Sequence, residues 1–385
     1  MRIGIDAREL CGRATGVGRY LAGLIAEWSR SERALRHEFV LYVASGRNRD
    51  TSPNVAVDGR RFAVRTRTGS GGTWWEQVTL PSAARLDNLD VFFAPAYTAP
   101  LRAPAPLVVA IHDLSFVAHP EWFRLREGAR RRWLCRQAAQ RARAVITISE
   151  FSRHELEERL DVPPSKIHVI PPGVGAHEIG AGIRGWGLGA GKTALALQAI
   201  APSPQTPRVL YVGSIFNRRH VVDLIRAFAP IARARPDASL DIVGDNRSYP
   251  REDIEGAIAA QGLAQQVRWH RYVGDDQLRA LYSGAGAFAF LSEYEGLGLT
   301  PLEALASGVP PVLLDTAVAR ESCGDAALYV PIHDSTATTR ALELALFSTE
   351  TRRRLLSAAP SVLARYDWRR AGADTLAVLE RGGSV

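Results

Sequence analysis

The segment RVLYVGSIFNRRHVVDLIRAF, Arg208–Phe228, has the pattern of a buried strand that ends at a glycine and is followed by a helix. Its first residues are almost all apolar, as in a strand covered on both faces of a parallel sheet. After the loop, Leu224, Ile225 and Phe228 recur at the spacing of one helical face. Repetition of this strand–helix unit predicts an α/β fold.

The same unit recurs in both halves of the chain. The strand-like segments are RIGIDA, FVLYVA, VFFAPA, LVVAIHD and AVITIS in the first half, and RVLYVG, SLDIVG, VRWHRYV, AFAFLS and PPVLL in the second. Helical patterns separate most of them, which predicts two doubly wound parallel sheets. Residues 171–207 are rich in Gly, Pro and Ala and are predicted to form a linker with an insertion. We therefore expect Rossmann-like domains at 1–170 and 208–365.

Composition places the chain among globular proteins of the cytoplasm. With 385 residues and 46% hydrophobic content, the chain is long enough to bury two cores. Cys11, Cys135 and Cys323 are too few and too scattered for a disulfide framework or a cysteine metal site. We expect neither a signal peptide nor a membrane span, because the first residues enter a strand pattern and no long apolar run occurs.

The net positive charge comes from the first half of the chain. Residues 1–175 hold 26 Lys and Arg against 18 Asp and Glu, whereas residues 176–385 hold 22 of each. Much of the excess lies in RLREGARRRWLCRQAAQRARA, Arg124–Ala144, which is predicted to be an arginine-rich helix carrying Trp133. A solvated helix face is one interpretation. Attraction to an anionic membrane or to nucleic acid is the other.

A second informative segment, LSEYEGLGLTPLEALASGVPP, Leu291–Pro311, places two glutamates around a glycine-rich turn. Thr300 and Glu303 have the spacing of a capping box, which predicts that Thr300 caps a helix and that Glu303 supports the cap. The turn ahead of that helix also predicts an anion site, because backbone N–H groups and the helix dipole point there. The glycines in this turn are Gly296 and Gly298.

Polar residues collect where the predicted strands end. In open α/β sheets ligands bind beyond these carboxyl ends, and two sheets placed face to face would bring them to one interdomain cleft. Arginines there would neutralise a diphosphate, and carboxylates would accept hydrogen bonds from sugar or ribose hydroxyls. Each residue alone also has an ordinary structural explanation. The residues in question are His112, Asp113, Ser149, Gly213, Ser214, Arg218, Arg219 and Glu295.

Together these residues resemble family 4 glycosyltransferases, which are retaining enzymes of GT-B architecture with two Rossmann-like domains. Glu295 and Glu303, with seven residues between them, match the signature of that family. The resemblance extends over nearly the whole chain, and its last segment looks like a final helix, residues 366–385, that returns to the first domain. The other matching segments are IGIDARELCGRATGVGRY, VVAIHDLSFVAHPEWF, TISEFSRHEL, YVGSIFNRRHVVDLIRAF and RYDWRRAGADTLAVLE.

The resemblance implies a role for most of these positions. Glu303 would bind the ribose, Glu295 and His112 would contact the donor sugar, and Ser149, Gly213, Ser214 and Gly296 would belong to the donor site. Backbone N–H groups of Leu297, Gly298 and Leu299 would lie near the phosphates, and Gly16 and Gly18 would leave room for substrates. Four positions depart from the family pattern, so the donor specificity is open: Arg219, His220, Thr300 and Pro311 replace the usual lysine, asparagine, proline and valine.

The expected reaction is metal-independent transfer of a hexose from a nucleotide diphosphate sugar to a saccharide or lipid-linked acceptor, with retention and without a cofactor. The resemblance to bacterial mannosyltransferases of polysaccharide assembly favours GDP-mannose as the donor. A UDP- or dTDP-sugar donor, a GT-B sugar-nucleotide epimerase and a nucleic-acid-binding protein are the alternatives. Nucleic acid is not expected as a partner, because only charge supports it. An anionic membrane is expected to bind the arginine-rich helix.

Overall fold

The structure, a computed structural model, describes residues 1–11, 15–45, 59, 61–174 and 207–384. The chain divides into two units, and the first consists of Met1–Gly173 together with Tyr366–Val385. The described part of the second unit runs from residue 207 to Arg365. Most of the predicted linker, residues 175–206, lies outside the described residues.

The first unit is built on a sheet of seven parallel strands in the order β3-β2-β1-β4-β5-β6-β7. The central strands are buried along nearly their whole length, as their apolar sequences require. The strands are β1 (Arg2–Asp6), β2 (Glu38–Ser45), β3 (Phe62–Thr68), β4 (Val91–Ala94), β5 (Leu107–Ala110), β6 (Ala144–Thr147) and β7 (Ile167–Val169).

Helices cover both faces of this sheet. They are α1 (Gly16–Arg30), α2 (Leu80–Ala84), α3 (Ser115–Ala118), α4 (Leu125–Arg141) and α5 (Glu150–Leu160). On one face, Trp28 of α1 stacks on Phe39 at 5.2 Å between ring centroids, and Phe39 stacks on Phe62 at 4.8 Å. On the other face, α4 buries Leu134 and Cys135 and leaves Trp133 exposed. The arginine-rich segment is therefore helical, as predicted.

The second unit contains six parallel strands in the order β10-β9-β8-β11-β12-β13. These strands are β8 (Arg208–Val212), β9 (Ser239–Val243), β10 (Val267–His270), β11 (Ala287–Phe290), β12 (Pro311–Leu314) and β13 (Leu328–Val330). The helices are α6 (Val221–Ala234), α7 (Ile254–Ala260), α8 (Asp275–Ser283), α9 (Leu299–Ala306), α10 (Ala317–Cys323), α11 (Ser335–Phe347) and α12 (Thr349–Leu363).

The last helix, α13 (Trp368–Gly383), belongs to the first unit. Its buried residues Ala371, Leu376 and Leu379 join the core formed by α1 and the sheet. Trp28 Nε1 donates a hydrogen bond of 2.9 Å to the Gly372 carbonyl, which joins residues far apart in sequence. All ten predicted strands are present, and two parallel Rossmann-like sheets confirm the predicted α/β fold.

Candidate donor site

The carboxyl edge of the second sheet holds a partly buried ion pair. Arg219 follows β8, and its Nε donates a hydrogen bond of 2.7 Å to Glu295 Oε1, which follows β11. Ser292 Oγ donates to the same oxygen at 2.8 Å. Because both bonds end on Oε1, the other oxygen, Oε2, is the one that could accept a hydrogen bond from a ligand hydroxyl.

The surroundings keep this pair charged. Burial by itself raises the pKa of Glu295, but the charges of Arg219 and Arg218 and the two hydrogen bonds outweigh it and hold the pKa below its usual value. Burial opposes the charge of Arg219, yet the neighbouring Glu295 raises the pKa of the guanidinium overall. The pair is therefore an arginine cation against a carboxylate anion.

Aromatic rings and backbone groups fix the two arginines. The Arg219 guanidinium lies 4.9 Å from the Phe290 ring centroid, and its Nη1 donates to the Ser214 carbonyl at 2.9 Å. The Arg218 guanidinium lies 4.5 Å from the Phe216 ring centroid, and its Nε donates to the Tyr294 carbonyl at 3.3 Å. These contacts hold two positive charges at the sheet edge.

Gly213 allows Arg219 to approach the end of β8. Its φ of +153° is unfavourable for a side chain, and a Cβ there would lie only 2.8 Å from Arg219 Nη1. The sequence identified Gly213 and Ser214 as donor-site residues without giving this reason. In the structure, both residues shape the backbone that positions the arginine.

The predicted capping box is wrong. The helix α9 begins at Leu299, its N-cap is Gly298 with a φ of +87°, and no side chain caps it. Thr300 is therefore the second helical residue, and Glu303 lies too far along the helix to form the box. Glycine tolerates the left-handed conformation at which this helix starts, so no threonine cap is needed.

The N-terminus of α9 retains the features of an anion site. Its first backbone N–H groups have no carbonyl partner within the helix, and the N-cap residue, Gly298, has no side chain to replace one. Gly296 and Leu297 lead into this turn beside Glu295. Glu303 is half-buried in the second turn, where its Oε2 accepts a hydrogen bond of 3.1 Å from the Tyr282 hydroxyl.

The carboxyl edge of the first sheet presents a neutral histidine. His112 lies two residues after β5, and its ring contacts Tyr20 of α1 at 4.4 Å between centroids. Burial lowers the pKa of His112 to about 4, although the nearby Asp113 raises it in part. Its Nε2 is buried without a hydrogen-bond partner in the described part of the chain. A buried, unsatisfied ring nitrogen is unusual, which makes it a candidate ligand contact.

The other predicted residues of the first unit surround His112 or serve the fold. Ser149 caps α5 by accepting a hydrogen bond of 3.0 Å from the Ser152 backbone, and Ser152 Oγ donates to the His112 carbonyl at 3.1 Å. A Cβ on Gly18 would lie 2.4 Å from the Glu9 carbonyl oxygen, so packing alone explains that glycine. Gly16, by contrast, has open space where a Cβ would be.

A buried charged cluster at the end of β1 was not anticipated. Arg8 Nη2 lies 2.8 Å from Asp6 Oδ2 and also pairs with Glu76, which accepts a hydrogen bond of 2.6 Å from Thr98 Oγ1. Burial raises the pKa of Asp6 to about 6, against the opposing charge of Arg8. The signal was present in RIGIDAREL, since two charged residues directly follow a buried strand.

The sequence patterns of two protein families together match most of the chain. The pattern described as Glycosyltransferase Family 4 matches residues 14–177, and the pattern described as Glycosyl transferases group 1 matches residues 196–362. The chain belongs to family 4 of the glycosyltransferases. This result agrees with the two glutamates and the arginine pair at the edge of the second sheet.

Related proteins differ in the sugars and acceptors that their names describe. The chain is 28% identical over 255 residues to D-inositol 3-phosphate glycosyltransferase of Jonesia denitrificans. The matched region covers 64% of this chain and only 58% of that protein. It is 28% identical over 294 residues to GDP-mannose:cellobiosyl-diphosphopolyprenol alpha-mannosyltransferase of Xanthomonas oryzae pv. oryzae, covering 74% of this chain and 70% of that protein.

A solved structure supports the predicted GT-B fold. Sucrose-phosphate synthase from Thermosynechococcus elongatus superimposes with a TM-score of 0.75 over 99% of this chain and 98% of its own. At 18% sequence identity this likeness concerns the fold only. The GT-B prediction is confirmed.

Proposed function

We propose that this family 4 glycosyltransferase transfers a hexose from a nucleotide diphosphate sugar to an acceptor hydroxyl, with retention of the anomeric configuration. The observation that carries the proposal is the partly buried Arg219–Glu295 pair, which is close in sequence to the start of α9, where no side chain of the N-cap residue caps the helix. This combination offers positive charge for a diphosphate and a carboxylate oxygen for a sugar hydroxyl.

Leaving-group stabilisation is the main contribution of the protein to this reaction. When the anomeric C–O bond breaks, negative charge grows on the departing diphosphate, and Arg218, Arg219 and the α9 N-terminus stabilise it. The acceptor oxygen forms the new bond on the same face, and its proton passes to the diphosphate. In this scheme no side chain is the nucleophile, and Glu295, which Arg219 and Ser292 hold through Oε1, positions the sugar through Oε2.

No metal ion or cofactor is required in this scheme, because the arginines supply the positive charge that a divalent ion would supply. EDTA is therefore expected to leave the transfer rate unchanged. A loss of transfer on chelation that magnesium or manganese restores would contradict this part of the proposal. In the same scheme, Glu303 binds the ribose and His112 contacts the donor sugar as a neutral imidazole.

GDP-mannose is the proposed donor. Supporting it, a relative 28% identical over 74% of this chain carries that donor in its name. A thermal-shift screen of GDP-mannose, UDP-glucose and dTDP-glucose tests the choice, since a ligand that binds the folded state raises the melting temperature. If a UDP- or dTDP-sugar raised the melting temperature more than GDP-mannose does, that sugar nucleotide would be the preferred donor. Product analysis without an acceptor would reveal an epimerase, because the sugar would then change configuration while still attached to the nucleotide.

The exposed face of α4 is proposed to bind an anionic membrane that carries a lipid-linked acceptor, which makes the protein a peripheral cytoplasmic enzyme. The described helices include none that is long and apolar enough to cross a membrane. Leu125 and Trp133 on α4 are 81% and 54% exposed, and Trp74 is 76% exposed. Arg130 Nη1 donates to Thr73 Oγ1, which joins α4 to the segment that carries Trp74. Arginines attract anionic lipid, and tryptophans favour the interface.

A further inference from the structure

A cluster of His220, Asp223 and His333 lies in the second unit, at the start of α6 and in the loop ahead of α11. Asp223 Oδ2 is 3.2 Å from His220 Nδ1 and 3.4 Å from His333 Nδ1. The two imidazole rings are nearly perpendicular, with centroids 4.9 Å apart. The proposed transfer reaction assigns no role to these three side chains.

The imidazole of His220 lies between two carboxylates. Its Nε2 is 2.6 Å from Glu293 Oε1, while its Nδ1 faces Asp223. A neutral imidazole has one N–H group and one nitrogen that carries a lone pair. Because both nitrogens of His220 face carboxylates, the nitrogen without a proton would face a carboxylate oxygen, lone pair against lone pair. A cation between Nδ1 and Asp223 removes this conflict. A histidine that donates its second nitrogen to a carboxylate is also the usual arrangement around a bound metal ion.

The distances fit a tetrahedral ion. Zn²⁺ binds imidazole nitrogen and carboxylate oxygen at about 2.0–2.2 Å, which places neighbouring ligand atoms about 3.3 Å apart in a tetrahedron. The two separations from Asp223 Oδ2, 3.2 and 3.4 Å, match that edge. All three ligand atoms lie within 4.8 Å of one another, so a small movement of the exposed His333 side chain would close the third edge.

The local charge also favours a cation. Two further acidic residues, Glu252 and Glu293, lie near the cluster. Arg226 Nη1 donates to Asp223 Oδ1 at 2.9 Å, which leaves Oδ2 directed at the two histidines. Both histidines line a cavity of about 300 Å³ together with Asp223, Arg226, Asp334 and Thr338. This cavity has room for a water molecule as a fourth ligand.

We propose that His220 Nδ1, Asp223 Oδ2 and His333 Nδ1 bind one zinc ion, with water from the cavity completing the coordination. The ion would join the start of α6 to the loop before α11, two points more than a hundred residues apart in sequence. Zinc binding would therefore stabilise the second unit by mass action without contacting the reacting sugar. Chelation should lower the melting temperature while the transfer rate at room temperature is unchanged.

Equilibrium dialysis of the full chain against zinc chloride tests this site. Wild-type protein is expected to bind one zinc ion per chain, and His333→Ala and Asp223→Asn should each weaken binding at least about tenfold, because each removes a ligand. His119→Ala is the matched control. Its Nδ1 also faces a carboxylate oxygen, Glu121 Oε1 at 3.1 Å, but it lies in the first unit. Binding by this variant should equal that of wild type.

Two further measurements keep the result independent of folding. Zinc should raise the melting temperature of wild type and of His119→Ala but not of His333→Ala, whose exposed side chain can be removed with little loss of packing. Cobalt bound at the same site should give the visible absorption of a tetrahedral ion. The proposal would be overturned if wild type bound no zinc at micromolar concentrations, or if the His333→Ala and Asp223→Asn variants bound it as wild type does.

Discussion

The carboxyl edge of the second sheet and the end of β5 in the first sheet differ in charge. In the second unit, Arg219 and Glu295 form a partly buried ion pair held by aromatic rings, a serine hydroxyl and backbone carbonyls. In the first unit, His112 has its pKa lowered to about 4 by burial, so it is uncharged at neutral pH. Ser152, which donates to the His112 carbonyl, is also uncharged, and the adjacent Asp113 is the acidic residue that partly offsets the effect of burial.

This difference indicates which part of a sugar nucleotide each edge suits. A diphosphate needs positive charge held in place before the reaction, which the second edge provides. The hydroxyl groups of a sugar are uncharged. A neutral imidazole nitrogen can accept a hydrogen bond from such a hydroxyl, and it has no positive charge that would attract the diphosphate. Under the proposed function, the second edge would suit the diphosphate and His112 would suit a sugar hydroxyl. Three of the four predictions below test these assignments, and one tests the outer surface of the first unit.

The largest effect is expected from the charged edge. Replacing Arg218 and Arg219 together with alanine should lower the turnover rate at least about a hundredfold, as removal of other preorganised charge stabilisers does. The measurement is the transfer rate at saturating donor. The matched control is Arg353→Ala with Arg354→Ala, two adjacent exposed arginines on α12 whose loss should leave the rate unchanged.

Folding must be separated from catalysis in that experiment. Arg219→Ala leaves the partly buried carboxylate of Glu295 without its arginine partner, which should lower the stability of the fold. Arg219→Lys keeps the positive charge but loses the fixed fork of donors, so it should fold and recover part of the rate. A folded double alanine variant with normal turnover would show that the second edge does not stabilise the leaving group.

The next effect concerns the outer surface of the first unit. Replacing Arg126 and Arg130, which are exposed on α4, with glutamine should weaken binding to anionic vesicles about thirtyfold, since each arginine near such a surface contributes about 1 kcal/mol. Vesicle sedimentation at low salt measures this, with Arg353→Gln and Arg354→Gln as the control. If wild-type protein ignores anionic vesicles, the charge of the first unit has no membrane role.

The sequence predicted the buried strands of both sheets but not every edge strand. Nine of the ten predicted strands lie inside their sheets and are mostly apolar, because they are covered on both faces, and the tenth, β10, is an edge strand. The strands β3, β7 and β13 were missed, and each lies at an edge of its sheet. Edge strands need less apolar surface, and β3 carries Arg65 and Arg67 among its residues. Their assignment depends on a neighbouring strand that the sequence pattern does not identify.

The sequence predicted which residues belong to the candidate site but not which of them contact one another. Glu295 and Arg219 are 76 residues apart, and their hydrogen bond exists only because β8 and β11 are neighbours in the sheet. The capping box failed because the N-cap of α9 is Gly298, two residues before the Thr300 cap that the pattern predicts. Local spacing could not show this, since a left-handed glycine start and a threonine cap can precede the same helical residues.

A moderate effect is expected at Glu303. Since this residue does not cap α9, Glu303→Gln tests its charge without disturbing the helix start. Donor affinity should fall about tenfold, because a hydrogen bond to a charged acceptor is about twice as strong as a neutral one. Isothermal titration with the nucleotide measures this. Tyr282→Phe is the control, as it removes the hydroxyl that contacts Glu303 and leaves the carboxylate in place. Equal affinity in wild type and Glu303→Gln would contradict ribose binding.

The smallest expected effect tests whether the imidazole of His112, beyond the end of β5, is neutral. In the unfolded chain a histidine binds its proton near pH 6.5, whereas folded His112 resists protonation until about pH 4. Between these values the unfolded state binds more protons, so stability is complete above pH 6.5 and is lost as the pH falls towards 4. His112→Asn removes this dependence. On going from pH 7 to pH 5, wild type should therefore lose on the order of 1–2 kcal/mol more than the variant in urea unfolding.

The exposed His154 on α5 provides the control for this measurement. His154→Asn should keep the pH dependence of wild type, because the side chain lies at the surface of the same unit. If His112→Asn also kept it, His112 would take up its proton as readily in the folded as in the unfolded chain. The end of β5 would then gain positive charge in mild acid. In that case the proposed role of His112 as a neutral contact for a sugar hydroxyl would hold only above the pH at which its imidazole loses the proton.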